Sequence, residues 1–483
     1  MNDLLTRKLS VEAAASLDKC PAIARPLGKM ERSAWIFDQA SPFNIGAAVD
    51  IHGDVTENAL GQVLRWCQAR YPLLRSVLRQ ERKKLYFACF EPAAAPVIPL
   101  ETCSGAEEDR DRIATEELRR PFDGCRELMI RVKLVRFSED RCSLFVTFQH
   151  LIGDGFSLAN LLVDIVNLLG VVSTGESLPP PEPLPFPPML EDGVAFRFKG
   201  LKGLFQMVGC QSKVTGQMKQ LGDMPAPLRN HADAPFDQRL PIIETFTFDV
   251  LETVALIKRA KQEQVTLYAL LIAIAMDVIQ PLLAESPKKK ITADRVIIMP
   301  IPTNLRPFLS IPAKTDFGLF ASTVDVVRKL KEENDILEMA REIRFEIKSF
   351  MKKDSARLFV MPTIAAIMDW QLFFPNGSKG NARAARFIAS LAKYSSTSLT
   401  FLNLQRMSKR TGSLTVTNAR GYVAPSILGT ALFSAVLFDD VLNVHLSYNE
   451  KQFSGEDAAL LQSRFRTTAL AVARGGGTGS KHD

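Results

Sequence analysis

The stretch RCSLFVTFQHLIGDGFSLANLLVDIVNLLG, residues 141–170, changes its apolar period part-way along. Up to His150 the period is two: Cys142, Leu144, Val146, Phe148 and His150 share one face, with Ser143, Phe145, Thr147 and Gln149 on the other. From Phe156 it is that of a helix, with Leu158, Leu161, Leu162, Ile165 and Leu169 on one stripe and Gly170 read as the C-cap. A strand therefore turns sharply into a helix, and the glycines on either side of Asp154 permit the turn. Asp154 falls at the helix N-terminus, where capping and the helix dipole both favour a carboxylate. His150 ends an apolar strand face beside an ordered turn. Its ordinary pKa of about 6.5 suits a general base near neutrality.

Outward from this unit the same alternation recurs. Before it, 44–53 reads as a strand, 55–72 as a helix capped by Thr56, 83–90 as a strand, and 128–137 as the hairpin partner of 141–150. After it, strands are expected at 242–250, 294–302, 317–327, 413–421, 431–440 and 441–450, and helices at 251–264, 266–283 and 455–473. The fold class is α/β. Between the halves lies LPPPEPLPFPP (178–188), with seven prolines from 179 to 188, which can be neither helix interior nor central strand. The expected domains are an N-terminal lobe (1–178), a linker (179–190), a C-terminal lobe (191–474) and a glycine-rich tail (475–483).

With 483 residues, 46% hydrophobic and 23% charged, the composition excludes collagenous, wholly disordered and polytopic membrane classes. No signal peptide is read at the N-terminus, and the most apolar windows, 267–279 and 426–438, fall short of a membrane span. Seven cysteines without a CxxC pair suit reduced thiols and a cytoplasmic protein, and no metal site is expected. The net charge of +7 is compatible with an anionic partner or with none. No basic stripe interleaved with aromatics is present, so no nucleic-acid partner is expected. Segments 196–209 and 343–353 mix bulky apolar and basic residues, as peripheral membrane helices and ordinary surface helices both do. The chain carries no GxSxG, P-loop, GxGxxG or HExxH.

QHLIGDG (149–155) resembles the HxxxDG motif of the superfamily that contains chloramphenicol acetyltransferase, condensation domains of non-ribosomal peptide synthetases, plant BAHD acyltransferases and alcohol acetyltransferases. Further segments resemble that superfamily in the expected order: ARYPLLRSVL (69–78), RPFDG (120–124), PIPTNLRPF (300–308), TDFGLF (315–320) and TVTNARG (415–421). The Asn-Leu-Arg-Pro segment is closest to alcohol acetyltransferases and mycocerosyl transferases. Two departures stand out. Gln149 replaces the first histidine of the HH form, a change expected to affect packing rather than the base. TDFGLF lacks the tryptophan and second glycine of the BAHD form.

The resemblance implies two chloramphenicol-acetyltransferase-like lobes, each a mixed sheet with helices, set in a V around a central tunnel. It implies that His150 deprotonates an acceptor hydroxyl or amine, which attacks an acyl thioester directly. Asp154 would be structural and paired with Arg75 or Arg306, with Arg306 alternatively facing a carrier partner, and Gly155 would complete the motif. Asn418 would hold a late loop or bind the oxyanion, or be only a turn residue, and Asp316 would form a lobe-stabilising salt bridge. The expected activity is O-acyl transfer from coenzyme A or an acyl carrier protein by a monomer with no cofactor, in lipid or secondary metabolism. Amide formation by a free-standing condensation protein and a non-catalytic lipid or partner binder are the alternatives.

Overall fold

The computed structural model describes residues 21–82, 84–194, 205–206, 208–209, 212, 216, 225–231, 234–284, 295–310, 317–352, 355–363, 378–392 and 395–475. Asp316, most of 196–209 and the tail from 476 lie outside them.

The N-terminal lobe is built on a mixed sheet. Its strands run in the order Arg410–Thr411, Leu414–Val423, Asn44–His52, Arg141–Gln149, Ile130–Arg136, Leu100–Ser104. Pairing is antiparallel except at the edge, where Leu100–Ser104 lies parallel to Ile130–Arg136. The helices Glu57–Arg70 and Gly155–Ser173 pack on one face, burying Leu60, Val63, Leu64, Leu161, Leu162 and Ile165 against Leu144, Val146 and Phe148. Thr56 caps the first of these helices by accepting from Ala59 N–H. A helix that the apolar pattern does not announce, Arg110–Arg119, covers the other face with Ile113, Ala114 and Leu118 against Phe145 and Val135. Both faces of the Arg141–Gln149 strand are thus buried. The helix Gly155–Ser173 is long and apolar enough to cross a membrane by composition alone, yet it is a packed helix of this core.

The C-terminal lobe holds a four-stranded mixed sheet, Leu399–Asn403, Ala431–Phe438, Val441–Asn449, Pro241–Phe248, and the hairpin Arg295–Asn304 with Ala321–Leu330. Helices Val250–Gln262, Leu267–Val278, Ile336–Lys352 and Gly455–Ala473 bury their apolar faces in its core.

Two expectations change here. The proline-rich segment is extended and tied to the N-terminal lobe, with Trp66 Nε1 donating to Pro179 O at 2.7 Å and Leu184 N to Arg70 O at 2.9 Å. It does not separate the lobes in space, however: Leu414–Val423, assigned by position to the C-terminal lobe, is a strand of the N-terminal sheet. Without it the buried strand Asn44–His52 would be an open edge with unpaired backbone groups. A buried ion pair, Arg420 to Asp50 at 2.7 Å, fixes the crossing strand, and Asn443 Nδ2 and Ser434 Oγ donate to its carbonyls at Ala419 and Gly421. Gly170 is likewise not a C-cap, because the helix continues to Ser173. A Cβ at Gly170 would collide with Thr411, so its glycine serves the close approach of the crossing hairpin.

Candidate active site

The ladder of strand Arg141–Gln149 ends where Gln149 pairs with Asn44. His150 N–H then donates to Phe43 O at 3.0 Å, and the Phe43 ring stacks on the imidazole with centroids 4.7 Å apart and planes 19° from parallel. The chain turns through buried Leu151 and Ile152. Gly153 lies so close to the Phe148 and Phe317 rings that a Cβ would meet Phe148 at 2.9 Å. This glycine is required sterically. A Cβ on Gly155, by contrast, would stand in open space.

The turn sets the tautomer of His150. Its Nδ1 lies 2.9 Å from Gly153 O. A carbonyl oxygen only accepts, so Nδ1 carries the hydrogen and Nε2 holds the lone pair in the neutral ring. Burial pushes the imidazole pKa below its ordinary value, against the opposing pull of nearby Asp154 and of the backbone carbonyls. The ring is therefore neutral at physiological pH.

Asp154 points elsewhere. One carboxylate oxygen caps the helix, accepting from Ser157 N–H at 2.9 Å and Ser157 Oγ at 3.0 Å. The other accepts from Arg306 at 2.8 Å and from Phe320 N–H at 2.9 Å. Arg306 also donates to Ser157 Oγ and Gly318 O, both at 3.0 Å, between the rings of Phe156 and Phe320. Burial alone would raise the Asp154 pKa, but the Arg306 charge and the four hydrogen bonds hold it below the usual carboxylate value. The group is a clamp between the lobes, since Asp154 and Ser157 come from one and Arg306, Gly318 and Phe320 from the other. Of the two candidate arginines, Arg75 instead donates to the Phe90 and Ala69 carbonyls. Arg306 is buried in this clamp, and a substrate-binding role does not fit that geometry.

Beside the clamp, between the lobes, lies a cavity of about 310 Å³. Gly155, Phe156 and Ala159 form one wall, and Thr303, Asn304, Phe401 and Ala435 face them, with Arg406 among the lining residues. The N–H groups of Gly155 and Phe156, the first of the helix, have no hydrogen-bond partner among the described residues, and both residues line the cavity. His150 is not in the lining. It stands at the adjoining turn.

Residues 26–187 match the condensation-domain family model. Solved structures align over almost the whole chain. The first condensation domain of the calcium-dependent antibiotic synthetase superposes with a TM-score of 0.69 at 15% identity, covering 94% of this chain and 98% of that one. The trichothecene 15-O-acetyltransferase TRI3 of Fusarium sporotrichioides gives 0.68 at 12% identity over 93% and 94%. Polyketide synthase associated protein 5 of Mycobacterium tuberculosis gives 0.64 at 14% over 95% and 100%. This is the condensation-domain fold. Among curated proteins, phosphinothricin tripeptide synthetase PhsC of Streptomyces viridochromogenes is 29% identical over 188 residues, 35% of this chain and 17% of its own length. The dimodular nonribosomal peptide synthase of Bacillus subtilis is 29% identical over 168 residues, 32% of this chain and 7% of its own. The chain thus spans a small part of these relatives.

Within the condensation-domain fold, Asn418 stands far from the histidine. It pairs with Asp50 on the strand whose other end, Asn44, pairs with Gln149. Those positions are six residue steps apart on the strand, about 20 Å along the sheet. Asn418 Oδ1 accepts from Asn443 Nδ2 at 2.6 Å and from Ala419 N–H at 2.8 Å. The oxyanion role is excluded by distance. Asn418 is a crossover residue.

Three contributors escaped sequence reasoning. Ser157 is a short-range neighbour of the motif, and a serine three residues after Asp154 is a readable capping signal, whereas Phe43 lies far from the motif in sequence and reaches His150 only through the fold. Asp38 had no signal at all. It is buried on the helix Lys29–Ala40, where it accepts from Phe43 N–H at 3.0 Å and from Gln149 Nε2 at 2.6 Å, and so supports both neighbours of His150. Burial raises its pKa to about 6, despite hydrogen bonds from Phe43 and Gln149 and the charge of Arg131. Gln149 Oε1 is buried without a partner.

Because the folded pKa of Asp38 exceeds the unfolded one, stability falls as pH rises from about 4 toward 6 and stays low above it. In Asp38→Asn the carboxamide oxygen still accepts from Phe43, and a flipped Gln149 amide turns its orphaned oxygen to the new N–H₂. This variant is expected to gain about 1–3 kcal/mol at pH 7.5 and less at pH 5. Urea unfolding at both pH values measures it, and a loss at pH 7.5 would contradict the assignment.

Proposed function

We propose that this chain transfers an acyl group from a thioester, of coenzyme A or of a carrier protein, to an acceptor hydroxyl, with His150 as general base. The observation that carries the reading is the His150 Nδ1–H to Gly153 hydrogen bond, which leaves the Nε2 lone pair for a proton. The acceptor O–H gives its proton to Nε2 as its oxygen attacks the thioester carbonyl. The resulting oxyanion suits the N–H groups of Gly155 and Phe156, reinforced by the dipole of a 19-residue helix. Collapse of the intermediate breaks the C–S bond, and the departing sulfur recovers the proton from His150. Only C–S, C–O and proton exchange are involved, so the reaction needs neither metal nor redox cofactor. The apolar walls of the cavity, Phe156, Phe401 and Ala435 among them, suit an acyl chain or a hydrophobic acceptor such as a lipid or secondary metabolite.

Amide formation is the second reading, favoured by the condensation-domain match and the peptide-synthetase relatives. It differs in taking an amine acceptor and carrier-bound substrates only. The test is acceptor-dependent thiol release from a series of acyl-CoAs and acyl-loaded carrier proteins, with products identified by mass spectrometry. Ester formation with alcohols is the expected result. Amides made only from loaded carriers would select the second reading, and no acceptor-dependent release from either donor would overturn both.

A further inference from the structure

The helix Ile336–Lys352 turns Leu337, Met339, Ala340, Ile343 and Phe350 into the C-terminal core. Its opposite face carries Arg341, Arg344, Phe345, Lys348, Met351 and Lys352, all exposed. At 100° per residue these six fall within an arc of about 120°. Phe345 is 75% exposed and Met351 39%, so an aromatic ring and a thioether stand in water beside long cationic stems. Arg341 pairs with Glu263 at 2.8 Å, whereas Arg344, Lys348 and Lys352 have no ion pair among the described residues. Of the acidic residues beside the stripe, Glu338 stands exposed at the start of the helix and the other two are engaged elsewhere. Glu342 meets Arg328 at 3.4 Å, and Glu346 meets Arg328 at 2.8 Å and Arg357 at 3.6 Å. The stripe is therefore cationic with apolar residues at its edges.

We infer that this face docks on an anionic lipid surface, with Phe345 and Met351 entering the headgroup boundary and Arg344, Lys348 and Lys352 meeting lipid phosphates. The charge favours an anionic partner. A planar lipid surface fits better than a protein, because the exposed apolar area of the stripe is only two side chains. A stable protein interface needs about 800 Å² per partner around an apolar centre. A single interfacial helix needs only a few apolar anchors with basic residues that snorkel around them. Each basic side chain near such a surface contributes about a fivefold gain in partitioning. The inference is independent of the chemistry proposed at His150.

Co-sedimentation of the full chain with phosphatidylcholine vesicles, with or without about 30 mol% phosphatidylglycerol, tests it. Binding is expected only to the anionic vesicles, weakening between about 0.1 and 0.5 M salt. Phe345→Ser and the double variant Lys348→Glu/Lys352→Glu are each expected to lose binding at least about tenfold, with unchanged melting temperature and thiol release on soluble substrates. Absence of binding to anionic vesicles overturns the inference, even if an acidic protein binds the same face. Equal binding by the wild type and both variants overturns it as well.

Discussion

Replacing His150 by alanine is expected to lower acceptor-dependent thiol release by about 10²–10⁴-fold, the usual contribution of a positioned general base. The loss would fall on the chemical step, because the half-buried imidazole lies outside the lining of the inter-lobe cavity. A better-matched variant is His150→Asn. Its Nδ2 occupies nearly the place of the imidazole Nδ1 and can keep the hydrogen bond to Gly153 O, but asparagine has no basic nitrogen. It is expected to be as inactive as alanine while remaining folded. Activity retained in His150→Asn would show that the ring only braces the turn. The pH dependence gives a second readout. The base works neutral, and burial lowers its pKa, so the acid limb of kcat/KM should fall below the ordinary imidazole value of about 6.5.

Arg306→Met should destabilise the protein by about 3–5 kcal/mol, since it strands a buried carboxylate. Asp154 is 2% exposed, and without the guanidinium it keeps only the hydrogen bonds from Ser157 and Phe320. In the wild type Asp154 has a lowered pKa, so its contribution is present above the unfolded carboxylate pKa and is lost only as pH falls below the usual range. In the variant the sign reverses. Burial then dominates, the folded pKa rises, and stability falls as pH increases above about 4. The deficit should thus be largest at neutral pH and shrink on acidification. Adding Asp154→Asn removes the stranded charge but keeps a cap and should recover a substantial part of the loss. Urea unfolding from pH 4.5 to 8 follows both variants, and a neutral-pH cost below about 1 kcal/mol would rule out the clamp as a stabilising link. Because the clamp joins the two lobes, the variant should also separate their unfolding transitions.

The difference between these residues shows what a linear reading can reach. The change of apolar period at 141–170 placed a strand, a turn and a helix, and therefore His150 at the strand end and Asp154 at the cap, because both periods and caps are local properties. The matching motifs elsewhere told of the two-lobed α/β fold. Helix Arg110–Arg119 went unread because its sequence, RDRIATEELR, is mostly charged and owes its place to packing between the sheets. The crossing strand Leu414–Val423 was legible as a strand but not as a strand of the other lobe, since pairing partners are chosen by the edge that needs covering.

Local sequence, then, determined most of the elements, the capped turn and the place of His150 at the strand end. Tertiary structure alone decided that Arg306 rather than Arg75 closes on Asp154, that Asn418 lies about 20 Å from His150, and that Asp38 holds Phe43 and Gln149 beside it. The physical reason is that ion pairs and hydrogen bonds between buried groups are set by distance in space, and the partners of Asp154 and Gln149 lie 152 and 111 residues away along the chain.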